Sequence, residues 1–131
     1  MDVQGGSGFI GPHTNAHTGI HVSARELARF GYLALHHGRW NGRQLVPTWW
    51  MDLATSSSQE LNPAYGYTWW TNARGTLWPG VPTDAFALEG YRSDVCWVAP
   101  SLDLVVARVG SGPPEWHKPG LISRIVSAMV A

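Results

Sequence analysis

Cysteine, lysine and net charge are all scarce in this 131-residue sequence, and each scarcity excludes something. One cysteine, Cys96, excludes a disulfide within the chain. Nine basic and nine acidic residues leave no net charge, and the basic residues are scattered. This argues against nucleic acid or an anionic membrane as a partner. No run approaches the ~18 consecutive apolar residues of a membrane span, and the N-terminus lacks the pattern of a signal peptide.

Tryptophan, by contrast, is abundant, with eight residues. Such richness is typical either of a stacking surface for sugars or of large core side chains. Three tryptophans lie in predicted loops and are the candidates for a ligand surface: Trp40, Trp78 and Trp116. The other five lie in predicted helices or strands and are assigned to the core: Trp49, Trp50, Trp69, Trp70 and Trp97.

The stretch from residue 85 to residue 109 organises the predicted fold. Two apolar runs, residues 95–98 and 104–109, flank Pro100-Ser101-Leu102-Asp103, a pattern that predicts strand, tight turn and strand. In the second strand both alternating faces are mostly apolar. A strand that is apolar on both faces is usually buried between layers, so we expect helices across this sheet.

Helices are predicted on both sides of this stretch along the chain. Ser23 and Glu26 form a capping box, and the apolar residues after them recur at helical spacing as far as Gly38, which ends the helix. Gly31 in mid-helix costs about 1 kcal/mol relative to alanine, which indicates a close packing contact there. The Asn41-Gly42 pair predicts a tight turn.

Further elements complete an α+β prediction. Pro47 opens a short helix to about Ala54, with Trp49, Trp50 and Leu53 on its buried side. Residues 65–71 are aromatic and predict a strand, and residues 121–130 predict a C-terminal helix. Its apolar stripe consists of Leu121, Ile122, Ile125, Val126 and Met129. We expect an antiparallel sheet of roughly three to five strands flanked by helices, without a domain boundary.

Two motifs near the N-terminus are typical of ligand sites, but the residues around them do not favour the secondary structure that such sites need. His13, His17 and His21 have helical metal-ligand spacing, yet proline and glycine oppose a helix there and no carboxylate or cysteine stands nearby. Residues 6–11 match G-x-G-x-x-G without the strand and helix that a dinucleotide site needs. We therefore predict neither a metal nor a cofactor.

The order of these segments resembles the β-lactamase-related serine hydrolases, which include class C β-lactamases, penicillin-binding carboxypeptidases and esterases. The resemblance lies in residues 19–31 (GIHVSARELARFG), residues 37–49 (HGRWNGRQLVPTW) and residues 65–70 (YGYTWW). It continues through residues 88–90 (LEG) and residues 100–106 (PSLDLVV). The resemblance implies the C-terminal portion of a β-lactamase-like fold.

The family's nucleophile motifs are missing from this chain. No serine has lysine three residues later, because Lys118 is the only lysine, and no tyrosine has asparagine two residues later. A serine hydroxyl without an adjacent base is a weak nucleophile. Residues 1–131 are therefore predicted to be one partial domain, the C-terminal half of such a hydrolase, without activity of its own.

The resemblance also implies an active-site strand. The family's Lys-Thr-Gly or His-x-Gly triplet falls on Leu88-Glu89-Gly90, where Gly90 leaves room for substrate and the amide of Tyr91 serves as an oxyanion donor. Leu88 replaces the usual cation or histidine, which favours an ester or amide substrate over a penicillin-like carboxylate.

Two charged residues and one tryptophan are candidates for the rim of this site. Glu89 is either a general base or substrate contact, or a strand-end charge that is solvated or ion-paired. Arg92 either holds a substrate carboxylate or pairs with Asp94 or Glu89. Trp78 joins them as a third candidate.

Three hypotheses about function follow. The complete protein is a serine hydrolase acting on a small-molecule or peptide substrate; or the chain is a non-catalytic module that binds cell-wall glycan or peptide; or it is half of a split protein that pairs with an N-terminal half or with itself. The residues indicate no compartment, although relatives in this family are often exported.

Overall fold

Four antiparallel strands form the central sheet, in the spatial order β5-β6-β7-β8. The computed structural model describes residues 2–3, 20–90, 93–111 and 118–131. Two short strand pairs, β1 with β2 and β3 with β4, lie outside this sheet. In chain order the elements are β1 (Asp2–Val3), β2 (Ile20–His21), α1 (Ala24–Leu35), β3 (Arg39–Trp40), β4 (Arg43–Gln44), α2 (Thr48–Ala54), β5 (Trp70–Thr71), β6 (Phe86–Glu89), β7 (Val95–Ala99), β8 (Leu104–Arg108) and α3 (Lys118–Val130).

Strand β7 is the centre of the molecule, with every residue at most 2% exposed. Its side chains alternate between two apolar clusters, because successive residues of a strand point to opposite faces. Val95, Trp97 and Ala99 pack in the cluster that contains Ile122 and Val126 of α3. Cys96 and Val98 belong to a second cluster that contains Ala34 and Leu35 of α1. The prediction of helices across the sheet is confirmed.

Helix α1 begins as its sequence predicts but ends at Leu35, three residues before Gly38, and both His37 and Gly38 have left-handed φ angles. Ser23 accepts a hydrogen bond from the Glu26 amide, while the Glu26 carboxylate accepts one from the Ser23 amide. Gly31 faces the sheet so closely that a Cβ there would lie 2.5 Å from Cys96 Sγ and 2.7 Å from Val105 Cγ1. The glycine therefore allows α1 to approach β7 and β8.

The segment after α1 combines a confirmed turn with a wrong prediction. Asn41 and Gly42 both adopt left-handed φ angles, of 47° and 76°, as expected for the tight hairpin between β3 and β4. In α2, however, Trp49 is 67% exposed, while Trp50 and Leu53 are also exposed. Met51 and Ala54 are buried instead. Seven residues make about two helical turns, which leave room for few buried positions, and Met51 and Ala54 occupy them.

The predicted strand at residues 65–71 is also shorter than expected. Only Trp70 and Thr71 form β5, with an isolated bridge from Tyr65 to Trp70. Thr68 has a φ of 70°, and the Gly66 amide donates to the Trp69 carbonyl at 2.7 Å, so the chain turns where a strand was predicted. Aromatic composition alone does not reveal such a turn.

The connection from β5 to β6 is organised by one buried side chain, that of Asn72. Its amide nitrogen donates to the carbonyls of Trp78, Val81 and Pro82 at 3.0–3.3 Å. Its Oδ1 accepts from the amides of Leu77 and Trp78. These bonds fold residues 72–83 back over the face of the sheet that α3 covers.

Helix α3 presents only part of its predicted stripe to the core. Ile122 and Val126 are buried and Leu121 packs partly against them, whereas Met129 is half exposed. Within the described ranges, every helix is too short or too polar to cross a membrane.

Candidate functional site

Strand β6 extends beyond the strand on its outer side. β5 pairs with β6 only at Phe86 and Ala87, whereas β7 continues along β6 to Leu88 and Glu89. Leu88 and Glu89 are half-buried, and Gly90, directly after the strand, is exposed. The residues predicted to form the active-site strand therefore lie together at one end of β6.

Gly90 is accessible, and its conformation does not require glycine. Its φ lies outside the left-handed region, so a side chain would cause no backbone strain there. An added Cβ would lie 3.3 Å from Asp94 Cβ, a tight contact, and Asp94 is the only residue within 4 Å among the described residues that are not chain neighbours of Gly90. Gly90 is therefore exposed, and Asp94 limits the room for a side chain there.

The chain on either side of residues 91–92 is anchored. The Gly90 amide donates to the Asp94 carbonyl at 2.8 Å. The Arg108 guanidinium donates to the carbonyls of Ser93 and Gly110, and Asp94 Oδ1 accepts from the Gly110 amide. Sequence reasoning did not single out Arg108 or Asp94 as anchors, because their partners are backbone groups of a neighbouring connection.

Of the remaining residues singled out from the sequence, five lie outside the described residues and one is misplaced. The five are His13, His17, Tyr91, Arg92 and Trp116. Trp78, predicted at the rim, is only 1% exposed and packs in the α3-side cluster. That prediction is wrong, because the Asn72 hydrogen bonds hold the loop against the sheet. The one sequence feature that could have indicated this burial is Asn72, an asparagine at the start of a long connection.

No protein-family model matches the sequence. An uncharacterized protein of Alkalihalophilus pseudofirmus is 32% identical over 107 residues, which cover 73% of this chain and 32% of that protein. The structure matches a solved Bacillus anthracis protein titled "Putative 6-aminohexanoate-dimer hydrolase" with a TM-score of 0.53 and 23% identity over 82% of this chain. That protein has the β-lactamase fold. This chain has part of the β-lactamase fold.

The chain spans about a third of the length of these two proteins, 32% of one and 27% of the other. The α+β prediction is confirmed, and the region shared with the β-lactamase fold includes most of the chain.

The serines of this partial β-lactamase fold that contact carboxylates have structural roles. Ser23 Oγ contacts Glu26 within the capping box of α1. Ser101 Oγ donates to Asp84, which also accepts from the Ser101 amide and so holds the turn after β7. Among the described residues, no group of three or more His, Cys, Asp or Glu side chains could hold a metal ion.

Cys96 is a structural thiol rather than a nucleophile. It is fully buried, and burial raises its pKa to about 12 from the usual 9.0. Its Sγ donates to the Leu27 carbonyl of α1 at 3.6 Å. A thiolate is the reactive form of cysteine, so burial of the neutral thiol disfavours reaction at Cys96.

The raised pKa predicts a specific loss of stability in alkali. Because the folded-state pKa exceeds the unfolded one, the thiol's contribution is intact below pH 9 and is lost as the pH rises toward 12. Urea unfolding at pH 8 and pH 10.5 should therefore show the stability advantage of the wild type over Cys96→Ala shrinking at the higher pH. Parallel pH profiles of the two proteins would contradict this account.

Proposed function

We propose that this chain is the C-terminal part of a β-lactamase-related serine hydrolase that cleaves an ester or amide through an acyl-serine. The observation that carries the proposal is the accessible end of β6, where Leu88 and Glu89 extend past β5 and Gly90 is exposed. An acyl group needs such an open strand end, because its carbonyl must approach the backbone closely.

The proposed roles follow from this position. Gly90 leaves space for the acyl carbonyl, and the backbone amide of Tyr91 donates to the oxyanion. One such donor is typically worth about 3–4 kcal/mol of transition-state stabilisation. Leu88 provides no charge for a substrate carboxylate, which favours a neutral ester or amide. Glu89 and Arg92 form the rim.

The nucleophile comes from the part of the fold that this chain does not span. Ser-x-x-Lys and Tyr-x-Asn are both missing from these 131 residues. Acyl transfer by a serine needs a base within hydrogen-bond reach of the hydroxyl. The chain alone should neither hydrolyse p-nitrophenyl acetate nor be labelled by a fluorophosphonate, and a labelled serine would contradict the proposal.

A chimera tests the proposed site directly. Residues of this chain replace the 107 matched residues of the Alkalihalophilus pseudofirmus protein, and hydrolysis of p-nitrophenyl acetate is measured. Gly90→Ala should lower kcat about 10²-fold or more, because the added methyl group would hold the acyl carbonyl away from the Tyr91 amide and loss of one oxyanion contact costs this much. Its thermal midpoint should fall only slightly, because Asp94 is the one described residue, chain neighbours aside, that would have to shift to admit the added methyl group.

Ala73→Val serves as the control, since it adds methyl groups at an exposed loop position far along the chain from Gly90. Its kcat should remain within twofold of the parent chimera. An unchanged kcat in the Gly90→Ala chimera would show that Gly90 is not part of the site. A parent chimera that is folded but inactive would count against hydrolase function.

A second candidate function has one observation in its favour. Trp49, Trp50 and Tyr67 are exposed and form a continuous aromatic surface, with ring centroids 5.9 Å and 5.6 Å apart. Exposed aromatic rings stack on sugars and peptides. If this aromatic surface binds cell-wall glycan, an N-acetylglucosamine oligosaccharide should shift the tryptophan fluorescence of the wild type but not of Trp49→Ala.

A further inference from the structure

The end of β6 is held in place by groups from two other parts of the chain. The Gly90 amide, directly after β6, donates to the Asp94 carbonyl at 2.8 Å, and Asp94 Oδ1 accepts from the Gly110 amide at 2.6 Å. One guanidinium nitrogen of Arg108, Nη1, donates to the carbonyls of Ser93 and Gly110 at 2.9 Å and 2.6 Å. We call these four hydrogen bonds the β6 clamp.

The register of the central sheet explains why the Arg108 side chain is available at this end. Arg108 is the last residue of β8 and lies opposite Val95, the first residue of β7. Val95 in turn lies opposite Glu89, the last residue of β6. Residues directly opposite one another on neighbouring strands lie on the same face of a sheet. The guanidinium therefore comes from the far side of β7 and bonds to the connection between β6 and β7.

Ser93, inside that connection, has a backbone conformation that a residue with a Cβ rarely adopts. Its φ is 75°, in the left-handed region. Such a conformation persists only where the surrounding contacts hold it, and it occurs often at functional sites. The carbonyl of Ser93 is bound by Arg108, and Asp94 is bound through both its carbonyl and its carboxylate. The β6 clamp therefore holds a turn that is unfavourable for a free chain.

The opposite end of β7 is held by a comparable arrangement that lacks any residue of the candidate site. Asp84 accepts from the amide of Ser101 at 2.7 Å and from its hydroxyl at 3.0 Å. Each end of β7 is thus followed or preceded by a connection that a polar side chain binds. Of these two arrangements, the β6 clamp is the one that includes Gly90, so the pair allows a role in the site to be separated from a role in stability.

We propose that Arg108 and Asp94 are positioning residues of the candidate site, because through the β6 clamp they fix Gly90. This inference rests on the proposed function, in which the acyl carbonyl approaches Gly90 and the Tyr91 amide donates to the oxyanion. The nitrogen of that amide is bonded to the carbonyl carbon of Gly90, so the bonds that fix Gly90 also limit where the amide can lie. An oxyanion donor is effective when its position is set before the reaction.

Steady-state kinetics of the chimera with the Alkalihalophilus pseudofirmus protein measure this role. Arg108→Met keeps a long side chain without donors, and it should lower kcat for p-nitrophenyl acetate about tenfold or more. KM should stay within about twofold, because an oxyanion contact is made in the transition state and not in the bound substrate. Arg108→Lys should bring kcat back to within about threefold of the parent, since one nitrogen of Arg108 makes both bonds and a lysine ammonium carries three donors.

A second pair of variants tests the other side chain of the clamp with a smaller disturbance of the fold. Asp94→Ala removes the acceptor of the Gly110 amide and should lower kcat about threefold or more, again with KM nearly unchanged. Asp94→Asn retains an oxygen at the Oδ1 position and should keep kcat within about twofold of the parent. Circular dichroism of each variant establishes that it is folded. An Asp94→Asn variant as slow as Asp94→Ala would contradict a role for this hydrogen bond.

Amide hydrogen exchange of this chain on its own tests the β6 clamp without any catalysis. In Arg108→Met the amides of Gly90 and Gly110 should exchange about tenfold faster or more, because both donate within the clamp. The amides of β7 should exchange at the wild-type rate. Unchanged exchange at both glycines would show that the clamp does not depend on Arg108 and would overturn the proposal.

Asp84→Ala is the matched control, because it also removes two hydrogen bonds, at the opposite end of β7. Its kcat in the chimera should stay within about twofold of the parent even where its thermal midpoint falls. Equal losses of kcat in Arg108→Met and Asp84→Ala would indicate a general loss of stability and overturn the positioning role.

The failure of this inference can be told apart from the failure of the hydrolase proposal. An active parent chimera that keeps its kcat in both Arg108→Met and Asp94→Ala overturns the positioning role and leaves the hydrolase proposal intact. A parent chimera that is folded but inactive overturns both. A lower kcat at unchanged KM, restored by Arg108→Lys, supports the inference.

Discussion

Replacing Asn72 with alanine is expected to lower the free energy of unfolding by about 3 kcal/mol or more. The carbonyls of Trp78 and Pro82 would keep other donors, the amides of Val81 and Ala85. Three groups would lose the partner described for them: the amides of Leu77 and Trp78 and the carbonyl of Val81. Each buried polar group left unsatisfied costs about 1–3 kcal/mol.

Urea unfolding followed by tryptophan fluorescence measures this loss, because Trp78 leaves a buried site when the loop is released. Asn62→Ala is the matched control, since the Asn62 side chain is exposed and accepts one hydrogen bond, from the Ala64 amide. Its cost should stay below about 1 kcal/mol. A loss below 1 kcal/mol for Asn72→Ala as well would mean that the loop does not depend on this side chain.

Gly31→Ala is expected to destabilise the protein by up to about 2 kcal/mol although alanine favours helices. The intrinsic gain of about 1 kcal/mol is outweighed, because the new methyl group would lie 2.5 Å from Cys96 Sγ and 2.7 Å from Val105 Cγ1. Overpacking of this kind costs typically about 1–3 kcal/mol and forces α1 away from the sheet. Thermal and urea unfolding both report the change.

The double variant Gly31→Ala with Cys96→Ala tests the cause. Removing Sγ relieves the closer of the two contacts, so the double variant should lose less stability than the sum of the single variants. Residues in direct contact commonly show coupling of about 0.5–3 kcal/mol. Additive losses would place the strain elsewhere, for example in the contact with Val105.

The elements that could be predicted from sequence are those whose signals are local. The capping box of α1, the Asn41-Gly42 turn and the hairpin of β7 and β8 each depend on residues within a few positions of one another. Their formation is decided by backbone preference and side-chain periodicity. The close contact at Gly31 was also predictable, because a glycine inside a strong helix pattern needs a packing reason.

The errors arise where distant contacts decide the outcome. Trp78 is buried because Asn72 binds three carbonyls further along the chain, and both tryptophans of α2 are exposed because this short helix buries Met51 and Ala54 instead. Residue type cannot separate Trp78 from these two tryptophans, because it favours burial equally for all of them. Thr68 turns left-handed within an aromatic run, which no local preference for strands predicts.

The candidate site was located by resemblance, and its geometry comes from the structure. Leu88, Glu89 and Gly90 could be picked out from the order of the motifs. The accessibility of Gly90 depends on where β5 stops pairing with β6, at Ala87. Likewise, Arg108 and Asp94 act on the chain around residues 91–92 through backbone groups, which leaves no pattern in the sequence.

The contact between α1 and β7 has a consequence for synthesis. The Leu27 carbonyl and Cys96 Sγ are joined across 69 positions of the chain. At translation rates of 5–20 residues per second, α1 waits roughly 3–14 seconds on the ribosome before the strand that covers it has been made. During that interval Ala34 and Leu35 face water, so the nascent polypeptide is more exposed to misassociation than the finished molecule.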